Sequence, residues 1–323
     1  MTATGTPTLD QLRVLLAVAE TGSFSAAARR LNRAQSVISY SIANLEGLLG
    51  LTLFARGHRR PVLTEAGRAV LADARRVACI IDDLRARASG LAEGLEAEVA
   101  LAVDVMFPTA QLVAALQAFA RAFPTVALRL RVETLGSVWQ LVLEGTCGLG
   151  ISGPPMGIRT DGLERRLIRH IEMVSVVAPG HPLASLPPPL PDAAFQDHTQ
   201  LVLSDRSHLT EGQDFGVLSL RTWRLGDLGA KHALLRAGLG WGSMPEHMVR
   251  EDLAAGRLVR LVPAASPSAR FSLLLIHRAA APPGPAGQWL AERLAGTAAP
   301  EATGLPPPQT GWAPDRPPQL PAA

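Results

Sequence analysis

Five residues between positions 35 and 44 carry the most specific chemistry in this chain: Gln35, Ser36, Ser39, Tyr40 and Asn44. If the segment is helical, Ser36, Ser39, Tyr40, Ala43, Asn44 and Gly47 share one face, and none of them is charged. A surface helix normally keeps charged residues outside. Short hydroxyl and amide groups instead donate and accept hydrogen bonds over the reach that base edges in a DNA groove require. Residues 21–60 also hold six arginines (Arg29, Arg30, Arg33, Arg56, Arg59, Arg60) against one acid, Glu46. That window carries +5 in a chain whose total is +3. A basic block on a near-neutral body fits a polyanion partner, with a solvated charged face as the competing reading. Tyr40, the one tyrosine, either reads bases or covers a helix seam.

Other chemistry is thin. Ser204, Asp205 and His208 match no nucleophile arrangement, and no histidine stands at a metal-ligand spacing. Gly238-Leu239-Gly240-Trp241-Gly242 follows a predicted helix rather than a strand, which argues against a dinucleotide loop. Cys79 and Cys147 read as small buried side chains, with redox sensing by Cys147 as the lesser alternative. No cofactor, no metal and no enzymatic activity are therefore expected. Composition agrees with a folded, soluble, cytoplasmic chain. Its 323 residues are 47% hydrophobic, with 31 basic and 28 acidic side chains, enough for two or three domains. No apolar run reaches the length of a membrane span, and residues 1–13 lack the pattern of a secretory leader.

The elements that must position the uncharged face are legible locally. Thr8-Leu9-Asp10-Gln11 is a capping box, behind which Leu12, Leu15, Leu16 and Ala19 share a helical face up to Gly22. Ser23 caps a second helix through Leu31, and its Ala26-Ala27-Ala28 centre lets another helix cross closely. A third helix, about 35–49, buries Ile38, Ile42, Leu45 and Leu49 and stops at Gly50. Apolar stretches 51–54 and 62–64 flank the basic tip Arg56-Gly57-His58-Arg59-Arg60-Pro61, as in a hairpin lying along phosphates. Three helices and a basic wing make a winged helix-turn-helix.

Thr64 can cap a long helix to about Leu91. Val70, Ala74, Val77, Ile81, Leu84, Ala88 and Leu91 alternate steps of four and three, a period-3.5 seam of roughly 31 Å. Packing against the chain's own body is the alternative to pairing with a second copy. From residue 97 strands and helices alternate: strands at 99–103, 127–132, 149–151, 174–177, 201–203 and 271–276, helices at 109–122, 138–143, 230–237, 245–253 and from Pro285 to Leu294. That order predicts a largely parallel sheet covered on both faces.

The runs Phe24-Ser25-Ala26-Ala27-Ala28, Gln35-Ser36-Val37-Ile38-Ser39, Leu45-Glu46, Leu49-Gly50, Leu53-Phe54-Ala55-Arg56 and Leu63-Thr64-Glu65-Ala66-Gly67 closely resemble the N-terminal domain of LysR-type transcriptional regulators. Tyr40 stands where many members carry arginine, and Ala34 where a Ser or Thr cap is common, so Gln35 or Ser36 is expected to serve the first turn. The body, with Asp104-Val105-Met106-Phe107-Pro108 and the glycine run at 238–242, looks like the family's effector domain. The resemblance implies α/β architecture: a winged helix-turn-helix over 1–65, a linker helix over 66–92, and a periplasmic-binding-protein-like domain over 97–295. That domain divides into subdomain I (about 97–166 and 267–295) and subdomain II (about 167–266). Residues 296–323, rich in proline, read as a disordered tail.

The function so implied is that of a ligand-responsive DNA-binding regulator. Ser25, Arg33, Gln35, Ser36, Ser39, Tyr40, Asn44, Arg56, His58, Arg59 and Arg60 would meet double-stranded DNA. Val70, Val77, Ile81, Leu84 and Leu91 would pair two copies, as the family's linker helices do, with tetramers as pairs of dimers. RNA polymerase is a further partner if the protein activates. Ligands of open α/β sheets bind beyond strand carboxyl ends. On that rule a small-molecule effector would meet Asp104, Met106, Phe107, Pro108, Thr109, Gly136 and Ser137, and on the other wall Ser204, Asp205, Asp227, Leu228 and Gly229. Thr109 and Asp227 could equally be helix caps. The aspartates suit an amine or hydroxyl ligand and the helix dipoles an anion, and both stay open. A binding or transport protein with the same body is the rival reading, against which the basic head weighs.

Overall fold

The computed structural model describes residues 6–55, 60–155, 157–204, 207–210, 216–264 and 269–296. These divide into two compact units, a head (6–89) and a body (90–296).

In the head, α1 (Leu9–Thr21) starts at the Thr8–Gln11 capping box and ends at Gly22, whose left-handed conformation closes the last turn. Ser23 accepts from the Ala26 amide to cap α2 (Phe24–Arg30), and α3 (Gln35–Leu49) runs to Gly50. Val14, Leu15, Val18, Ala27, Ile38, Ile42 and Leu45 form one buried cluster under these helices. Ala27 and Ala28 are the buried residues of α2, as close crossing requires. α3 departs from expectation at its start. Ala34 caps nothing, and among the described residues neither Gln35 nor Ser36 makes a side-chain hydrogen bond, so the first turn is left to solvent or a ligand. Among the described residues, the expected wing strands meet in an antiparallel bridge between Phe54 and Leu63.

Thr64 accepts from the Gly67 amide at 2.8 Å and opens α4 (Glu65–Ala92). Leu71 and Ala74 are buried and Val70 half-buried against the head's own core, so the seam's first heptad is spent inside the chain. Beyond it, Val77, Ile80, Leu84 and Leu91 are exposed, Ile80 by 64% and Leu84 by 59%. Ile81 instead lines a cavity of about 280 Å³ between α1 and α4, beside Leu9, Leu16 and Ala17. Cys79 also borders it and is exposed, contrary to the reading of both cysteines as buried.

The body comprises β1 (Glu98–Asp104), α5 (Thr109–Ala122), β2 (Ala127–Glu133), α6 (Gly136–Leu143), β3 (Leu149–Ser152), β4 (Leu163–Val177), α7 (Ala193–Gln196), β5 (Gln200–Leu203), β6 (Thr222–Leu225), α8 (Leu228–Arg236), β7 (Gly242–Pro245), α9 (Glu246–Ala254), β8 (Val259–Leu261), β9 (Ala269–Arg278) and α10 (Pro285–Ala295). Its main sheet runs β2-β1-β3-β9-β4-β7, with β8 also on β4. The wiring occurs twice. β1 pairs in parallel with β2 and β3, and β3 joins β9 antiparallel. β5 pairs in parallel with β6 and, through Gln200 and Trp241, with the start of β7, which joins β4 antiparallel. β4 and β9, paired from Leu163–Arg278 to Met173–Ala269, carry the chain between the two halves.

Glu96 locks the body's beginning to its end. Its carboxylate accepts from the Ala286 and Gly287 amides, both at 3.0 Å, and so caps α10. Gly240 and Gly242 let β5 approach: a Cβ at either would lie within 2.5 and 2.8 Å of the Thr199 and Leu201 carbonyl oxygens. The glycine run is thus packing, as its position after a helix suggested.

Asp252 is a second lock. Its carboxylate, 5% exposed, accepts from His232 Nε2 at 2.6 Å and from Arg257 Nε, with Arg236 Nε at 3.4 Å. The Arg257 hydrogen bond first, then His232 and Arg236, hold its pKa below the usual carboxylate range. A depressed folded pKa stabilises the fold above the unfolded value, near 3.9, and that contribution is lost as pH falls from there through the lowered folded value. Asp252→Asn should therefore lower stability by about 2 kcal/mol at pH 7. The gap between the two urea curves should close as pH drops below about 4; a gap unchanged in acid would contradict the lock.

Candidate DNA-reading face and effector cleft

α3 presents its uncharged face outward. Gln35, Ser36, Ser39, Tyr40 and Asn44 are all exposed, Tyr40 by 73%, while Ile38, Ile42 and Leu45 on the opposite side are buried. Val37 adds an apolar contact on the outer side, 46% exposed, which sequence reasoning misses. Its β-branched side chain looks like core filler. Ser25 is half-buried, with its hydroxyl 3.0 Å from that of Ser23. Arg33 is already engaged: it makes a two-point pair with Asp10, at 2.7 Å to each oxygen. That hydrogen bond lowers the Asp10 pKa and raises that of Arg33. Arg30 pairs with Glu20 at 2.6 Å. Arg60 is exposed; Arg56, His58 and Arg59 lie outside the described residues.

In the body the strand-end residues have mixed fates. Asp104, 1% exposed, accepts from the Met106 amide at 2.9 Å and the Leu135 amide at 3.2 Å, tying the loop after β1 to the loop after β2. Asp227 is the N-cap of α8, accepting from the Ala230 amide at 2.5 Å. Thr109 is the first residue of α5, whose N-cap Pro108 offers no side-chain bond. Asp205 is outside the described residues. Two of the three aspartates are thus committed to backbone amides.

The two halves meet at this end. Met106, carried by the first half, packs in the apolar cluster of Val174, Val176, Leu201, Leu228 and Met244 in the second. Thr134 donates to the Ser204 carbonyl at 3.3 Å across the crevice. Phe107 is buried under the Arg169 guanidinium, 5.9 Å from its ring centre. Gly136 is buried, Ser137 half-buried and Gly229 exposed at the starts of α6 and α8. Leu228, predicted as a wall residue, is 3% exposed and belongs to the core instead.

Sequence reasoning also passes over Lys231. Only 4% exposed, its ammonium donates to the Ser243 carbonyl at 2.8 Å. Burial pulls its pKa from 10.5 to about 8. Below pH 8 this desolvated charge costs about 3 kcal/mol of folding stability, relieved as pH rises towards the unfolded value. Cys147 is fully buried and burial pushes its thiol pKa up, which disfavours the thiolate that redox reactivity needs.

Residues 9–68 match the model for the bacterial regulatory helix-turn-helix protein, lysR family. Residues 92–299 match that of the LysR substrate binding domain. The HTH-type transcriptional regulator PunR of Escherichia coli (strain K12) is 32% identical over 254 residues, covering 77% of this chain and 81% of PunR. The probable HTH-type transcriptional regulator YhaJ of the same organism is 30% identical over 253 residues, 78% of this chain and 84% of YhaJ. A mutant OxyR from Corynebacterium glutamicum shares the fold, with a TM-score of 0.52 at 21% identity over 90% of this chain and 93% of that one. With an outward uncharged recognition face on its head, a twice-wired α/β body following in the sequence, and family models covering both, this chain belongs to the LysR family of transcriptional regulators.

Proposed function

We propose that two copies of this regulator pair through α4 and set their α3 faces on paired half-sites of one operator. A small molecule entering the crevice between β1, β2, β5 and α8 would shift closure of the body and so change operator occupancy. The observation that carries the DNA reading is the face of α3: Ser36, Ser39, Tyr40 and Asn44 are exposed together and uncharged, over a buried Ile38–Ile42–Leu45 side. Such a face has little to gain from solvent and much from base edges. Arg60 and the wing arginines would neutralise phosphates, and Arg33 could join them by leaving Asp10. The chain would work where the DNA is, in the cytoplasm, and RNA polymerase would be a partner only for an activating complex.

The test separates reading from holding. Tyr40→Ala should cost about 1–3 kcal/mol on the operator and little on random DNA. Arg60→Ala should weaken both alike and flatten the salt slope by about one. Footprinting and filter binding across salt measure both; equal losses for Tyr40→Ala on specific and random DNA would remove Tyr40 from the reading face.

A further inference from the structure

We infer that Arg169 binds the anionic group of a small molecule, a carboxylate or a phosphate, where the two halves of the body join. The inference deepens the effector reading, and rests on it only for what the bound anion does to operator occupancy.

A β-bulge aims this side chain. β4 and β9 pair in step from Leu163–Arg278 to Leu167–Leu274 and then skip Ile168, so that Arg169 stands opposite Leu273. Without the extra residue it would stand opposite Ser272, on the side where His170 now meets the Ser272 hydroxyl at 3.0 Å. With it, Arg169 shares a face with Leu273 and Ile171, which are 0 and 4% exposed. Bulges re-aim side chains in this way and recur beside binding sites. The guanidinium so turned lies over the ring of Phe107, in the loop after β1. His247, the second residue of α9, feels its charge from the other half. Burial first lowers the His247 pKa, and Arg250 and Arg169 lower it further against the pull of Glu246. Arg169 thus stands between the carboxyl ends of β1 and β7, one from each half, and ligands of open α/β sheets bind at such ends.

The guanidinium has donors and no acceptor for them. Arginine offers five N–H groups, and among the described residues Arg169 makes no hydrogen bond and no ion pair. Its Nε is shut off from solvent without a partner, whereas the two terminal nitrogens, equally unpartnered, are still reached by solvent. Carboxylates on the elements around it are taken: Glu172 pairs with Arg270 at 2.9 Å, Glu246 with Arg250 at 2.7 Å and Glu292 with Arg166 at 2.8 Å. An unsatisfied buried donor opposes folding, so packing and the Phe107 ring hold this group in place. A planar fork held with its terminal nitrogens open is preorganised for two parallel bonds to an oxyanion. The competing role is to complement the carboxyl end of α10, since Nη2 lies 3.7 Å from where a Gly296 Cβ would stand. That role asks only for charge, and lysine would fill it. An anion on Arg169 bears on the loop after β1 in one half and on α9 in the other, so its affinity depends on how the halves are set.

The test sets the fork against the bare charge. Full-length protein is melted in sodium acetate, benzoate and phosphate, with sodium chloride at matched ionic strength and neutral benzamide as controls. At least one oxyanion should raise the melting temperature saturably by a few degrees, while chloride and benzamide do not. Which oxyanion acts separates a planar carboxylate from a tetrahedral phosphate. Arg169→Gln should lose the rise. Arg169→Lys keeps the charge beside α10 and gives up the fork, so it should melt within a few degrees of the parent and bind the anion about tenfold more weakly. A melting temperature unmoved by all three oxyanions overturns the assignment. An Arg169→Lys variant with parental affinity does so too, and leaves the residue to α10. Equal protection by benzamide in the parent and both variants would sink the anion site and leave the effector crevice standing. An oxyanion rise that needs Arg169 but leaves the operator footprint unchanged would keep the site and sink its regulatory reading.

Discussion

An Ile80→Asp/Leu84→Asp double variant is expected to sediment as a monomer and to lose roughly 10²- to 10⁴-fold in operator affinity, with its helix content unchanged. The expectation rests on which apolar residues α4 spends on its own chain. Val70, Leu71 and Ala74 pack into the head, and Ile81 lines the cavity beside α1. Val77, Ile80, Leu84 and Leu91 remain outside, at 37, 64, 59 and 49% exposure. A stripe of large apolar residues at steps of three, four and seven is too regular for scattered surface hydrophobics, and pairing buries it. Aspartate places a charge in each of two turns of that stripe at little cost to an unpaired helix. With two heads joined, the second binds at the effective concentration that the linkage sets; without pairing, each head holds only its own half-site. Sedimentation and a footprinting titration decide the matter, and a dimer of parental mass would reject this face as the seam. Ile81→Asp is the less clean experiment, because it also disturbs the α1 contact.

That shift from Ile81 to Ile80 illustrates what a periodic pattern can and cannot say. The head is legible in the sequence almost to the residue because its signals are local. The Thr8–Gln11 box, the Ser23 cap and the left-handed Gly22 and Gly50 each act within four residues. A heptad stripe is local too, but the partner it meets is not, so Val70 and Ala74 fit a seam with a second chain in the sequence and pack on their own chain in the fold. In the body, the pattern predicts a strand over 174–177, and β4 spans Leu163–Val177. Its first ten residues, Leu163–Glu172, include three arginines and two glutamates, and pairing with β9 rather than burial keeps them extended. Edge strand β6, Thr-Trp-Arg-Leu, is equally polar and escapes the pattern for the same reason. Glu96 and Lys231 give no sequence signal. One caps a helix 190 residues away, and the other is buried against a strand that the chain reaches only later.

Asp104→Ala should cost the body about 3 kcal/mol, and Asp104→Asn roughly half of that. A carboxylate at a strand end is a reasonable candidate for ligand contact, and what decides otherwise is where its oxygens go. Asp104 Oδ1 takes the Met106 amide and Oδ2 the Leu135 amide, in a place 1% exposed to solvent. Leu135 has φ 46° and ψ −119°, a conformation that a leucine adopts only when its surroundings hold it. Alanine would leave both amides without an acceptor and Leu135 without its restraint. Asparagine keeps one oxygen for one amide and turns an N–H₂ towards the other. The loop that moves also carries Met106, whose side chain plugs the apolar cluster of the opposite half, so the loss should come with a loosened crevice. Tryptophan fluorescence reads it selectively. Trp139, Trp223, Trp241 and Trp289 all lie in the body, and residues 6–89 of the head hold no tryptophan. In urea the fluorescence transition of Asp104→Ala should move to lower denaturant while operator binding in the absence of urea persists. A transition at the parental midpoint would mean that the two amides find other acceptors, and would return Asp104 to the set of candidate ligand contacts.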